Sequence, residues 1–416
     1  MSQDPLFQPL VLPNGAVIPN RIAKASMEEN LADENQAPGD ALLRMYRGWA
    51  EGGAGLILTG NVMIDGRAMT GPGGVVVDSR SSLAALHSWA KVATSRGAQF
   101  WMQINHPGRQ MMASLKQETI APSAVPLSMG RFSKMFPIPR AMTERDIQEV
   151  IARFVETAAI AEEAGFTGVE IHAAHGYLLS QFLSPLTNRR TDKWGGSLRN
   201  RARILVEIVR DVRDNVSPGF CVAVKLNSAD FQRGGFGESD AIEVVRQLNE
   251  LGVDLVEISG GSYESPAMQG HTQDERTLAR EAYFLEFARE IVAAARMPVM
   301  LTGGIRRKSV AEYVLADGIA MIGMATALAL RPDLPNAWRR GEEATVEAPH
   351  VSWKSKPLAS LAIQSVVKTQ MRRLSQGKAP SSHISPALAL ARTQITTACR
   401  TRQYVAWAAS QAETQS

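Results

Sequence analysis

Cysteine is nearly absent. Cys221 and Cys399 are the two thiols in 416 residues, far apart and in unrelated contexts. They exclude a disulfide framework and any cysteine-built iron–sulfur or zinc site. No apolar run approaches the roughly 20 residues of a membrane span. The N-terminal Met1–Phe7 stretch lacks a basic start followed by an apolar core, so no signal peptide is read there. A reducing, cytoplasmic location is the default expectation. Net charge is also scarce, at +4, and gives no footing for nucleic-acid binding. No Gly-x-Gly-x-x-Gly follows a β-type run, which disfavours a Rossmann nicotinamide domain. With 45% hydrophobic and 21% charged residues, the chain has the composition of a globular protein.

What is present has a regular beat. Short β-type runs are expected at Ile22–Ala25, Gly55–Val62, Gln99–Ile104, Gly168–Ala173, Phe220–Leu226, Leu255–Ser259, Pro298–Thr302 and Ile319–Gly323. Helix-period stretches separate most of them. The clearest is Asp146–Ala164, with Thr143 and Asp146 spaced as a capping box and Gly165 as the C-terminal stop. Eight β–α alternations predict an α/β fold, a (β/α)8 TIM barrel. Ahead of the first strand, Leu10 to Ile18 reads as a hairpin around Asn14-Gly15, placed to cover the lower end of the barrel.

A parallel barrel gathers whatever follows its strands at one mouth. The first strand is followed by Ala25-Ser26-Met27-Glu28-Glu29, the second by Gly60-Asn61. The third ends Gln103-Ile104-Asn105-His106, and the fifth ends Lys225-Leu226-Asn227. Gly303-Gly304 and Gly323-Met324 follow the seventh and eighth, where bare backbone N–H groups can approach a phosphate. The fourth carries the densest chemistry: Val169-Glu170-Ile171-His172-Ala173-Ala174-His175-Gly176-Tyr177. Two imidazoles can donate hydrogen bonds to a substrate oxygen, and a phenol can supply a proton.

These segments, together with Pro19-Asn20-Arg21-Ile22, Gln103-x-x-His106-x-Gly108-Arg109 and Trp194-Gly195-Gly196-Ser197-Leu198-Arg199-Asn200-Arg201, resemble the Old Yellow Enzyme family of FMN-dependent ene-reductases and NADH:flavin oxidoreductases. The resemblance runs from about Leu6 to Trp338. It implies non-covalent FMN, with NADH or NADPH as electron donor and a small electron-poor acceptor such as an α,β-unsaturated carbonyl. It further implies that Ala25, Ser26, Met27 and Glu28 line the isoalloxazine, that Gly60 lies against it, and that Gln103 bonds its pyrimidine edge. Gly303, Gly304, Gly323 and Met324 would hold the ribityl phosphate. His172 and His175 would bind the substrate oxygen, with Tyr177 as proton donor.

Three positions depart from the family pattern. Glu28 stands where a Thr or Cys contacts the flavin, Lys225 replaces a flavin-facing Arg, and Met324 replaces a phosphate-clamping Arg that Arg306 or Arg307 could replace in function. Two rival readings stay open: an FMN amine dehydrogenase or demethylase on the same fold, and a non-redox phosphate-binding barrel using Lys225 as a Schiff base.

The domain expectation is a barrel over 1–345 and a basic, helical extension over 346–416. From His350 the extension holds nine Lys/Arg against one Glu, a net +8 that leaves −4 for the remainder. Leu358 to Leu374 and Ala387 to Ala409 are expected as helices, packed on the barrel or across a subunit contact, with a membrane-surface helix as the alternative. Self-association is left open.

Overall fold

Eight parallel strands close on themselves: β1 Ile22–Lys24, β2 Leu56–Leu58, β3 Gln99–Asn105, β4 Gly168–Ala173, β5 Cys221–Asn227, β6 Leu255–Ser259, β7 Val299–Thr302 and β8 Met321–Met324. Each pairs with the next, and β8 returns to β1 through Ile322 opposite Ile22, so the ring has no open edge. The computed structural model describes residues 4–265, 281–282 and 284–413.

β4 and β6 keep the expected ends, and the others shift by a residue or two. The Gly55–Val62 run is the exception. It splits into β2 and a separate Val62–Met63 strand that pairs with Ile104 and Asn105 at the end of β3. Gly60 lies at the break, where a Cβ would come within 2.2 Å of the Met27 carbonyl, so the backbone crosses there at a distance that only glycine permits. The expected amphipathic helix spans Glu144–Glu163 and carries the capping box of Thr143 and Asp146. Gly165 follows at φ +84°.

The hairpin pairs Leu10 with Ile18 and Val11 with Val17. Asn14 ties it to the barrel underside, its N–H donating to Asp254 Oδ1 (3.2 Å) and its amide to the Gly219 carbonyl (3.2 Å). Leu10, Leu12 and Ile18 pack with Ala23, Leu56, Leu58, Trp101, Cys221, Ala223, Leu255, Met300 and Met321. The lower half of the barrel interior is therefore apolar and plugged from below.

Two helices, Lys356–Ser375 and Pro386–Glu413, form the extension. Gln370 clamps the turn between them through both bonds to Ser381 (2.6 and 3.0 Å). The first helix docks beside helix Asp40–Glu51, where Arg44 Nε donates to the Ser375 carbonyl (2.9 Å). The second lies on the loops after β2 and β3, with Tyr404 fully buried among Met63, Met69, Val76, Met111 and Leu115. Packing on the barrel, one of the arrangements expected from sequence, is the one observed. Among the described residues no helix is long and apolar enough to cross a membrane.

Candidate active site

Strand parity decides which side chains enter the barrel. Alternate residues face opposite sides, so Val169, Ile171 and Ala173 pack outward while Glu170 and His172 turn inward. The same alternation admits Gln103 and Asn105 from β3, Lys225 and Asn227 from β5, Glu257 and Ser259 from β6, and Thr302 from β7. Above the apolar plug, the upper interior is polar and nearly dry: Gln103, Glu170, His172, Lys225, Asn227, Glu257 and Ser259 are all buried.

At the mouth, the structure brings His172, His175 and Tyr177 together. The ring of His172 lies 5.0 Å from each of the other two, edge to face. The turn that achieves this uses two consecutive left-handed residues, His175 (φ +60°) and Gly176 (φ +74°). Asn227 Oδ1 steadies it by accepting the His175 N–H at 3.0 Å. His172 Nδ1 accepts the Ala174 N–H (3.2 Å), which leaves its Nε2 as the proton-bearing nitrogen with a bond to give. Burial holds both imidazoles well below their usual range, with Lys225 acting in the same direction and His175 adding to the effect on His172. They are neutral donors. His175 Nε2, however, already contacts Ser259 Oγ at 2.7 Å, so the two histidines are not equivalent, as the motif had suggested.

Burial, then the neighbouring Tyr263 and Glu28, raise the Tyr177 phenol well above its normal range and keep it protonated. Its hydroxyl lies 3.2 Å from that of Tyr263 and 3.5 Å from Asn61 Nδ2.

Beside and just below the histidines, Ser26 Oγ donates to Gln103 Oε1 (2.7 Å), and Gln103 Nε2 donates to Glu170 Oε2 (2.5 Å), with Gln103 paired with Glu170 and Lys225 with His172 in the strand register. Lys225 Nζ donates to Glu257 Oε1 at 2.6 Å. Lys225 is therefore one half of a buried ion pair rather than a free cation. Burial, reinforced by Glu257, pushes Glu170 well above the carboxylate range. Burial is the largest single influence on Glu257 and would raise it, but Lys225 and the hydrogen bonds from Glu170, Lys225 and Thr302 together outweigh it and leave Glu257 below its usual value. Ala25 is buried, and its N–H donates to the Met324 carbonyl (3.1 Å). Met27 is half-buried against the main core.

The three departures resolve differently. Glu28 is hydrogen-bonded by the Thr70 hydroxyl, which anchors it to the loop after β2. Met324 corrects an expectation: its parity matches Ile322, so its side chain is buried in the outer core and leaves just its backbone at the mouth. Arg306 and Arg307 are also committed elsewhere, because their Nε atoms both donate to Glu281 Oε1 (2.9 and 2.8 Å). Gly303 (φ +153°) and Gly304 (φ +73°) remain as side-chain-free backbone. Sequence reading assigned no role to Glu170, Glu257, Ser259 or Tyr263. Parity marks the first three; Tyr263, on the loop after β6, had no local signal.

The model of the NADH:flavin oxidoreductase / NADH oxidase family matches residues 5–344. The chain belongs to that family. It is 36% identical over 373 residues to an NADH-dependent flavin oxidoreductase, iliE, of Hypocrea jecorina, covering 82% of this chain and 92% of the relative. It is 37% identical to its Neonectria counterpart, covering 83% of this chain but 48% of that protein. Among solved structures, a 2-naphthoyl-CoA reductase complex is similar with a TM-score of 0.74 and 28% identity, over 82% of this chain and 53% of that one. Morphinone reductase is similar at 0.69 and 25%, over 84% and 93%. The chain thus spans about half of some relatives and nearly all of others. As a family member it is a flavin oxidoreductase with FMN as cofactor.

The residues fit that group. Gly323 could not carry a Cβ, which would lie 2.0 Å from Thr302 Oγ1, and among the described residues that buried hydroxyl makes no well-formed hydrogen bond. Ser26, Gln103 and Lys225 offer hydroxyl, amide and ammonium groups suited to a pyrimidine edge.

Proposed function

We propose that this oxidoreductase takes a hydride from NADH and delivers it to an electron-poor C=C bond conjugated to a carbonyl. The observation that carries the reading is a neutral His172, its Nε2–H uncommitted, edge to face with a protonated Tyr177. FMN, when bound, supplies the hydride relay between donor and acceptor. His172 donates its N–H to the acceptor's carbonyl oxygen and stabilises the negative charge that develops as hydride reaches the β-carbon. Tyr177 then gives its proton to the α-carbon, and Tyr263 and Asn61 fix the direction of that hydroxyl. Solvent at the mouth restores the proton. The site residues assigned from sequence act together in this scheme, with Ser26, Gln103 and Lys225 on the cofactor side and the glycines after β7 and β8 at its phosphate. The similarity to proteins named 2-naphthoyl-CoA reductase and morphinone reductase supports a reducible conjugated carbonyl as acceptor.

Tyr177→Phe tests it. Reduction of the holoenzyme by NADH should remain near normal in stopped-flow traces. Reoxidation by an enone should slow by roughly two to four powers of ten, the usual cost of a lost general acid. Quinones, which need no carbon protonation, should be spared. Equal enone rates in the variant and parent would remove Tyr177 from the mechanism.

A further inference from the structure

Two carboxyl groups and one ammonium are packed together inside the barrel with no access to water. Glu170 and Glu257 are each 0% exposed and Lys225 is 3% exposed. Lys225 balances one negative charge. A second carboxylate there would be an uncompensated buried charge, which proteins relieve by taking up a proton. Among the described residues Lys24 also feels Glu257 and Lys225, but it lies over the Trp49 ring, outside the strand layer, with Glu29 at 3.8 Å. His172 and His175 are neutral and supply no charge.

The hydrogen bonds show where the proton belongs. Glu170 Oε2 accepts from Gln103, and Glu257 Oε1 accepts from Lys225. Among the described residues Glu170 Oε1 and Glu257 Oε2 are left without donors, although the two side chains are in hydrogen-bond contact. The Thr302 hydroxyl lies beside Glu257 in a geometry that satisfies neither group. Two acceptor oxygens cannot bond without a hydrogen between them.

We propose that Glu170 carries one proton, donates it to Glu257, and with it forms a positioning pair that orients Gln103 and compensates Lys225 on the cofactor's pyrimidine side. The hydrogen bonds then run in one direction, from Ser26 to Gln103 to Glu170 to Glu257, and Lys225 meets them at the far end. Gln103 is locked with its carbonyl toward Ser26 and one N–H toward Glu170, leaving its second N–H for the flavin. Lys225 is then balanced by one carboxylate rather than two. The proposal rests on the placement of FMN against Gln103 and Lys225.

Its signature is a pair of equally buried glutamates that holds a single negative charge. Glu170→Gln replaces a neutral acid by a neutral amide that still donates to Glu257 and accepts from Gln103. FMN dissociation constant and midpoint potential should stay within about threefold and unshifted, respectively. In Glu170→Gln/Glu257→Gln nothing compensates Lys225, and the midpoint potential should rise. Infrared difference spectra of parent minus Glu170→Gln should show a protonated carboxyl band that moves in deuterium oxide. These spectra require no acceptor substrate and can also be recorded on FMN-stripped full-length protein. A wild type that binds FMN but does not reduce enones would therefore count against the proposed reaction alone. If that band is missing from the difference spectrum, or if Glu170→Gln shifts the potential and weakens FMN binding markedly, the proton-sharing pair is wrong. Glu170→Gln decides the matter even if the double variant fails to fold.

Discussion

His172 and His175 look interchangeable in the motif and are separated by their bonds. His172 is oriented by a backbone N–H and has Nε2–H to give, whereas His175 spends Nε2 on Ser259. His172→Ala should therefore slow enone reoxidation by about 10²- to 10³-fold, the cost of removing one preorganised donor to a developing oxyanion. His175→Ala should cost less at the same step. Transient kinetics that find the order reversed would show that Ser259 releases His175 when substrate binds. Reading the sequence identified His172, His175, Tyr177, Gln103 and Lys225, which the structure places at one mouth. It could not show that Lys225 meets Glu257, because that contact joins residues 32 positions apart across neighbouring strands. Tyr263 was out of reach for the same reason, since its loop meets Tyr177 only after the barrel closes.

At the scale of the strand, parity explains both what was legible and what was not. Turn chemistry and β-type runs located all eight barrel strands, and Thr143 marked the start of the helix after β3. The Gly55–Val62 run was read as one strand because its apolar content is continuous; the break at Gly60 is imposed by the Met27 backbone from another element. Met324 was judged by its place in the chain, while its alternation with Gly323 points it into the outer core, where it is 1% exposed. Met324→Arg should consequently fail to strengthen FMN binding. It would bury an unpaired guanidinium and destabilise the fold by several kcal/mol. FMN titration together with urea unfolding checks both parts; tighter binding at unchanged stability would contradict the outward orientation.

For the whole molecule, the extension is a working part of the mouth's support. Tyr404 donates to the Gly66 carbonyl at 2.8 Å, Arg400 to the Ala32 carbonyl at 2.9 Å, and Lys368 Nζ to Asn30 Oδ1 at 2.6 Å. These contacts hold the loops after β1 and β2, the same loops that carry Glu28 and Thr70. Tyr404→Phe keeps the packing and loses one hydrogen bond, about 1 kcal/mol. Tyr404→Ala also leaves a cavity among methionines and should cost roughly 3–5 kcal/mol, the range for aromatic-to-alanine changes in a core. Denaturant midpoints give the comparison, and equal small losses would mean that the helix is not seated there.

The hairpin beneath the barrel has a consequence for traffic. With Leu10, Leu12 and Ile18 stoppering the lower end, the polar chamber of the described residues faces solvent at its upper mouth. Electron donor and acceptor must then take turns in the same doorway, each leaving before the other enters. Steady-state rates should give parallel double-reciprocal lines, and excess NADH should obstruct its own partner by occupying the doorway out of turn.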